Sequence, residues 1–168
     1  MEILYAILII LAAFIVITLI RAAFYVPKKK GYEPLPKENV DTERVAKHLS
    51  GAIQIPTVSY PDHDLVDWSQ FEKFHKYLED SYPLIHKTLT REKISKASLL
   101  YHWKGKNPAL DPIALLAHQD VVPISEGTLD NWTYPPFSGE NDGEFIWGRG
   151  AMDMKNHLIC VMEAVETL

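Results

Sequence analysis

Residues 113–123 read IALLAHQDVVP: five apolar residues in a row, then a histidine and an aspartate two positions apart. The apolar run does not alternate with polar residues, which is typical of a strand covered on both faces in a mainly parallel sheet. His118 would then lie at the carboxyl end of that strand, where open α/β sheets bind ligands. Because residues two apart in a strand face the same side, we expect His118 and Asp120 to point into one cleft.

The second informative stretch reads WGRGAMDMK, residues 147–155. Gly148 and Gly150 permit a tight turn with unusual backbone angles, and Asp153 would then lie at the N-terminus of the next helix. A carboxylate at this position is either a helix cap or a metal ligand. His118 has two similar interpretations, as a zinc ligand or as a structural histidine bonded to a backbone carbonyl. The local sequence leaves both choices open.

Between the two stretches the chain carries, in order, Trp132, Pro136-Phe137-Ser138-Gly139 and Asp142-Gly143. This order closely resembles the di-zinc metallohydrolase family of carboxypeptidase S, aminoacylase, acetylornithine deacetylase, succinyl-diaminopimelate desuccinylase and glutamate carboxypeptidase. The carboxypeptidase S branch is the most similar, because residues 52–59 read AIQIPTVS and Asn156 follows Lys155. The resemblance extends from about Val40 to the end of the chain.

The resemblance implies both a fold and a set of residue roles. The fold would be a three-layer α/β/α catalytic domain with a mainly parallel mixed sheet. His118 would be a ligand of one zinc ion, Asp120 would orient that histidine during catalysis, and Asp153 would bridge two zinc ions. A cis peptide bond would join Asp153 to Met154. The implied activity is zinc-dependent hydrolysis of amide bonds in peptides or N-acyl amino acids.

Two departures from the family pattern bear on activity. Met154 stands where many members have a second acid, which removes polarity beside the metal. The family's Glu-Glu pair, later acid, distal histidine and smaller dimerisation domain are expected beyond residue 168. We interpret Glu163 and Glu166 as solvated or dipole-neutral helix residues rather than catalytic ones. The segment alone is therefore expected to be inactive, and a homodimer is expected only in a longer form. The alternative is a non-catalytic, membrane-tethered interaction module that retains a remnant of the metal motif.

An uncharged apolar run of 18 residues, Ile3 to Ile20, lies near the start of the chain. As a helix it would span roughly 27 Å, close to the ~30 Å hydrocarbon core of a bilayer. Glu2 and the lack of Lys or Arg before the run favour an uncleaved anchor over a cleaved signal peptide. We predict a transmembrane anchor over 1–27, with residues 3–26 in contact with the membrane, then a linker over 28–39 and the incomplete catalytic domain over 40–168.

The side of the membrane that the domain occupies is left open by the sequence. Arg21 and the lysines at 28–30 follow the apolar run, so the positive-inside rule places the domain in the cytoplasm. The family resemblance instead implies a secretory or vacuolar lumen or the cell exterior. The chain has a net charge of −5, and these four basic residues adjoin the membrane, so the rest is more acidic still. An acidic domain argues against a nucleic-acid partner.

Helical spacing of apolar residues predicts three further helices: one from Asp41 or Thr42 to Pro56, an aromatic-lined one from Asp67 to Pro83, and one that includes Leu158 to Leu168. Ser98 to Trp103 is predicted to form a hairpin with part of residues 84–96, and Phe145 to Trp147 to form a short strand. Cys160, the single cysteine, is interpreted as a small buried apolar residue. The histidines other than His118 match no ligand pattern and are interpreted as surface or structural residues.

Overall fold

The structure is a computed structural model that describes residues 1–26, 31 and 36–168. The chain divides into two compact units, Met1–Asn39 and Val40–Leu168. The first unit contains helix α1 (Glu2–Ala23), whose most apolar stretch has a mean hydropathy of 3.2. Among the described residues, α1 alone is long and apolar enough to cross a membrane, and a signal sequence would meet the same criteria. The predicted linker over 28–39 lies largely outside the described residues.

The second unit, which is described throughout, contains four α-helices and one small sheet. The helices are α2 (Thr42–Ile53), α3 (Trp68–Ser81), α4 (Pro83–Thr88) and α5 (Asn156–Thr167). Strand β1 (Thr90–Ile94) pairs antiparallel with β2 (Ser98–His102), which confirms the predicted hairpin. Short 3-10 turns lie at His63–Leu65 and Leu129–Asn131. The unit is thus a mixture of helix and sheet, consistent with an α/β class.

Helices α2 and α3 begin where the sequence predicts, because an aspartate caps each of them. The Asp41 carboxylate accepts a hydrogen bond from the Arg44 amide at 3.0 Å, and Asp67 accepts one from the Ser69 amide at 3.0 Å. Each bond satisfies a backbone donor that has no partner within its helix. The Gln70 side chain donates to the Asp67 carboxylate at 3.1 Å rather than returning to the backbone of the cap.

Sequence patterns do not predict helix α4. Pro83, which ends α3, also occupies the first turn of α4, where a missing N–H costs nothing. The Glu166 carboxylate of α5 accepts hydrogen bonds from the backbone amides of Leu84 and Ile85, both at 2.9 Å. Glu166 therefore caps α4 from a neighbouring helix, and its interpretation as a simply solvated residue is wrong.

The four helices of the second unit share one apolar core. Phe74 and Leu78 of α3 are 0% and 2% exposed, which confirms that the aromatic face of this helix points inward. Burial of such side chains is the main favourable term in folding. The buried members of the core are Ala52, Phe74, Leu78, Tyr82, Ile85, Ile159 and Met162.

One carboxylate lies among these helices. Glu163 of α5 is 5% exposed, accepts hydrogen bonds from Arg44 at 2.9 Å and Tyr82 at 3.2 Å, and lies 2.5 Å from His48 Nδ1. The interpretation of Glu163 as solvated is therefore wrong, because its partners come from distant parts of the sequence. Burial, together with the Glu163 charge, raises the pKa of Tyr82 well above its usual range. Cys160, predicted to be buried, is instead exposed on the same helix.

The run from Ile113 to Ala117 does not form the predicted buried strand. Ile113 and Leu116 are 88% and 79% exposed, and no described strand pairs with them. An apolar run is buried as a strand only when other strands flank it, and β1 and β2 pair only with each other. Similarly, the predicted strand at residues 145–147 is reduced to one bridge between Asn141 and Ile146. The extended parallel sheet is thus not present among the described residues.

Candidate functional site

Two segments far apart in the sequence meet beside His118. The Val121 amide donates to the Thr57 carbonyl at 2.9 Å, and the Ser59 amide donates to the Val121 carbonyl at 3.0 Å, which makes a parallel bridge between Val58 and Val121. The Thr57 hydroxyl also donates to the Gln119 carbonyl at 2.5 Å. We call residues 57–59 and 119–121 the junction. The two backbone bonds of the junction fix the backbone that carries His118 and Asp120.

The structure brings the three predicted site residues together. His118 Nε2 lies 3.0 Å from Asp153 Oδ1, and His118 Nδ1 lies 3.0 Å from the Asp120 carbonyl oxygen and 3.3 Å from Asp120 Oδ1. Burial disfavours the charged imidazole, but these oxygens outweigh it and raise the pKa of His118. The Asp153 side chain is 89% exposed, so further ligands can reach it.

Asp153 lies in the turn that the glycines were expected to permit. Gly148 and Gly150 have φ values of 148° and 81°, and Ala151–Lys155 forms a wide turn in which Asp153 and Met154 have non-helical backbone angles. The peptide bond between Asp153 and Met154 is cis, at the position that the family resemblance implies. Helix α5 begins only at Asn156, so Asp153 is not its N-cap.

Lys155 anchors this turn to the helical core. Its Nζ donates to the carbonyl oxygens of Ala52 and Ile55, each at 2.7 Å, and lies 4.8 Å from the centre of the Phe74 ring. The residue is completely buried, and burial lowers the pKa of Lys155 to about 7. Carbonyls at the end of α2 favour a cation there, because they carry the negative end of the helix dipole. The sequence assigned no role to Lys155, because these contacts span 100 and 103 residues.

Arg149 and Ser59 are two further residues at the site to which the sequence assigned no role. Arg149 lines the cleft with His118 and Asp153, its guanidinium lies 5.1 Å from the centre of the Trp132 ring, and its buried Nε has no hydrogen-bond partner among the described residues. The Ser59 hydroxyl donates to Asp120 Oδ2 at 2.6 Å. The only sequence signal for Ser59 was its place in the AIQIPTVS motif.

The donor atoms match zinc in kind but not in number. Imidazole nitrogen and carboxylate oxygen bind zinc at about 2.0–2.2 Å in tetrahedral sites, so two such ligands of one ion lie about 3.3–3.6 Å apart. His118 Nε2 and Asp153 Oδ1 lie 3.0 Å apart, which is a hydrogen-bond distance and slightly shorter than that separation. A protein zinc site has three or four protein ligands. In the part of the chain that the structure describes, no group of three His, Cys, Asp or Glu residues is placed to hold an ion. His118 and Asp153 therefore fit part of a zinc site.

Comparisons with known proteins show what the chain is similar to. A family model described as peptidase family M20/M25/M40 matches residues 114–168, which include all three site residues. A putative carboxypeptidase of Saccharomyces cerevisiae is 46% identical over 129 residues, 73% of this chain and 22% of the relative. Carboxypeptidase S of the same organism is 43% identical over 160 residues, 84% of this chain and 28% of the relative.

A mammalian protein is also similar. An N-fatty-acyl-amino acid synthase/hydrolase of Mus musculus is 39% identical over 145 residues, 84% of this chain and 28% of the relative. The chain thus spans between 22% and 28% of the length of these three curated relatives.

Proposed function

Because the chain belongs to peptidase family M20/M25/M40, we propose that it supplies part of the metal site of a zinc-dependent hydrolase. The substrates are peptides or N-acyl amino acids, and the scissile bond is an amide. The observation that carries this proposal is the 3.0 Å approach of His118 Nε2 to Asp153 Oδ1, with Asp120 behind the imidazole. The names of the relatives, carboxypeptidase and N-fatty-acyl-amino acid synthase/hydrolase, support the substrate class.

Each site residue has a defined task in this proposal. His118 would be a ligand of one zinc ion, and Asp153 would be a ligand shared by two. Asp120 and its backbone carbonyl hold the proton on Nδ1 of His118, which leaves Nε2 directed at the metal. Bound zinc would polarise the amide carbonyl and lower the pKa of a bound water.

The 168 residues alone are proposed to be inactive. They bring together two ligands, whereas a zinc site needs three or four, so the others and the general base must come from additional sequence such as the longer relatives have. Purified chain supplied with zinc is expected not to hydrolyse an N-acyl amino acid or a dipeptide. Hydrolysis that depended on His118 would overturn this account of the missing ligands.

A chimera tests whether the segment can serve a hydrolase. Residues 40–168 would replace the corresponding segment of carboxypeptidase S from Saccharomyces cerevisiae, to which the chain is 43% identical. We expect the chimera to hydrolyse a dipeptide substrate and to lose this activity when His118 is changed to Ala. The matched control is His157→Ala, because His157 lies four positions after Asp153 but does not line the cleft that contains His118 and Asp153.

Two outcomes would contradict the proposal. A folded chimera without activity would favour the alternative, a non-catalytic tethered module that binds a partner. Activity that survived His118→Ala would show that the histidine is not a required ligand. The chimera's fold is checked by its far-UV circular dichroism and melting temperature, so misfolding is not mistaken for lost chemistry.

We further propose that Ile113 to Ala117 becomes a central strand of a three-layer α/β/α domain once the additional sequence is present. The support is the exposed apolar surface of this run, including Leu116 at 79%. Monomeric proteins rarely expose such contiguous apolar surface. Amide hydrogen exchange at residues 113–117 is expected to be fast in the 168-residue chain and slow in the chimera. Fast exchange in an active chimera would rule out a buried strand.

Finally, we propose that residues 1–27 anchor the protein in a membrane as a single span, with 28–39 as a linker. The support is the length and apolar composition of α1. In cells, the chain is expected to stay with the membrane pellet after alkaline carbonate extraction and to keep its N-terminal residues. Removal of α1 from the mature protein would identify it as a signal peptide. Protease protection of the 40–168 unit then distinguishes a lumenal from a cytoplasmic domain.

A further inference from the structure

The two carboxylate oxygens of Asp120 have different partners. Oδ2 accepts a hydrogen bond from the Ser59 hydroxyl at 2.6 Å, and Oδ1 lies 3.3 Å from His118 Nδ1. The torsion that rotates an aspartate carboxylate is broad, so a single partner would leave the plane of the group loosely defined. Partners at both oxygens of Asp120 define the plane of its carboxylate. Ser59 thus determines which oxygen of Asp120 faces the imidazole.

The backbone of Ser59 is fixed by its own hydrogen bond in the junction. Its amide donates to the Val121 carbonyl at 3.0 Å, and the neighbouring bond from Val121 to Thr57 completes the parallel bridge. The hydroxyl is therefore presented to Asp120 from a fixed backbone rather than from a mobile loop. A hydrogen bond to an ionised acceptor is also among the stronger kinds. Because Ser59 and Asp120 are 61 residues apart in the sequence, no local pattern predicts this contact.

We propose that Ser59 is a positioning residue for the metal site and acts through Asp120 on His118. It keeps Oδ1 of Asp120 on Nδ1 of His118, so that the proton stays on Nδ1 and Nε2 remains directed at the metal. This inference rests on the proposed metal role of His118. Changes in the partners behind a metal ligand typically weaken binding by roughly 10–100-fold. Because the Asp120 carbonyl also contacts Nδ1, we expect the lower end, about 10-fold.

The test measures zinc affinity of the full chain in detergent micelles by competition with a chromophoric chelator. Ser59→Ala is expected to weaken zinc binding about 10-fold, and Ser59→Thr, which restores a hydroxyl, is expected to recover most of it. The matched control is Thr57→Val, which removes the other side-chain hydroxyl of the junction. That hydroxyl bonds to a backbone carbonyl and not to Asp120, so its loss should leave zinc affinity within about twofold of wild type.

Three results would overturn the positioning role. Ser59→Ala could leave zinc affinity unchanged, Ser59→Thr could fail to restore it, or Thr57→Val could weaken it equally. The last two results would mean that Ser59 only stabilises the junction. Binding that disappears on His118→Ala verifies that the measured site is the proposed one.

Absence of zinc binding to the wild-type chain would count against the proposed metal role rather than against the positioning role. The positioning role of Ser59 is then tested without metal, by the NMR chemical shifts of the His118 ring nitrogens in protein labelled with 15N-histidine. Ser59→Ala is expected to move the Nδ1 resonance, with Ser59→Thr and Thr57→Val close to wild type. An unmoved Nδ1 resonance in Ser59→Ala would overturn the proposal.

Discussion

Arg44 of α2 lies 2.8 Å from the Glu163 carboxylate of α5, and this ion pair joins the first and last helices of the unit Val40–Leu168. The same carboxylate accepts a hydrogen bond from Tyr82 at 3.2 Å. One nearly buried acid therefore connects α2, α5 and the connection between α3 and α4.

Replacing Glu163 by Ala should lower the free energy of unfolding by about 2–3 kcal/mol. The tyrosine hydroxyl loses its acceptor and Arg44 loses its counter-charge. The effect stays below that of a fully buried pair because the Arg44 side chain is 39% exposed. Urea denaturation followed by circular dichroism measures the change. The control is Glu126→Ala on an exposed loop, and an equal shift in both variants would contradict a special role for Glu163.

Glu166→Ala should loosen α4 while leaving the rest of the unit folded. The amides of Leu84 and Ile85 lose their acceptor, and loss of a helix cap typically costs about 1 kcal/mol. Amide hydrogen exchange should therefore accelerate about fivefold at these two residues. Glu166→Gln keeps one amide oxygen and should lose less protection. Unchanged exchange at Leu84 and Ile85 in Glu166→Ala would mean that the cap contributes nothing.

Gly150→Ala should destabilise the site turn more than Gly127→Ala destabilises its loop. Both glycines have positive φ, 81° and 71°, so an alanine at either position carries a similar backbone cost of about 1–2 kcal/mol. At Gly150 the added Cβ would also overlap Val121 of the junction, whereas at Gly127 it meets nothing within 4 Å. The difference between the two unfolding free energies isolates the steric contribution. Equal values would show that the turn and the junction can move apart freely.

The free energy of unfolding should decrease as the pH is lowered, because His75 is protonated more readily in the unfolded chain than in the folded one. His75 is 5% exposed and pairs with Gln119 at 3.0 Å, and burial lowers the pKa of His75. As the pH falls below about 6.5, the unfolded chain therefore binds more protons than the folded chain. The contribution of neutral His75 to stability is fully present above that pH and is lost as the pH falls toward the lower pKa of the folded chain.

The measurement compares urea midpoints of wild type and His75→Phe at pH 7.5 and pH 5.5. The variant should be less stable at pH 7.5, because Gln119 loses its partner, but its midpoint should depend less on pH. An identical pH dependence in both proteins would mean that His75 titrates alike in the folded and unfolded chain.

Local sequence predicts the helices better than the site. Caps at Asp41 and Asp67 and the aromatic face of α3 are features of neighbouring residues, and the structure has them where expected. Helix α4 escapes prediction because its cap is supplied by Glu166, which lies 81 and 82 residues from the two amides that it accepts. A pattern within one segment contains no information about such partners.

For the site, the family resemblance identified His118, Asp120 and Asp153, and the structure brings them together. Their metal role stays a prediction. The resemblance assigned no task to Ser59 or Lys155, because each acts through a contact with a distant segment. The apolar pattern at residues 113–117 indicates how the run can be buried, but burial depends on neighbouring strands that the described residues do not supply.

The junction also affects the order in which the site forms during folding. Its bonds join residues 61 and 62 apart, and closing a flexible loop of that length costs about 3–4 kcal/mol of chain entropy. Helix α3 and the hairpin of β1 and β2 lie within this loop and can form from local contacts before it closes. A refolding chain should therefore gain helical signal first, and the geometry around His118 should appear only in molecules whose loop has closed.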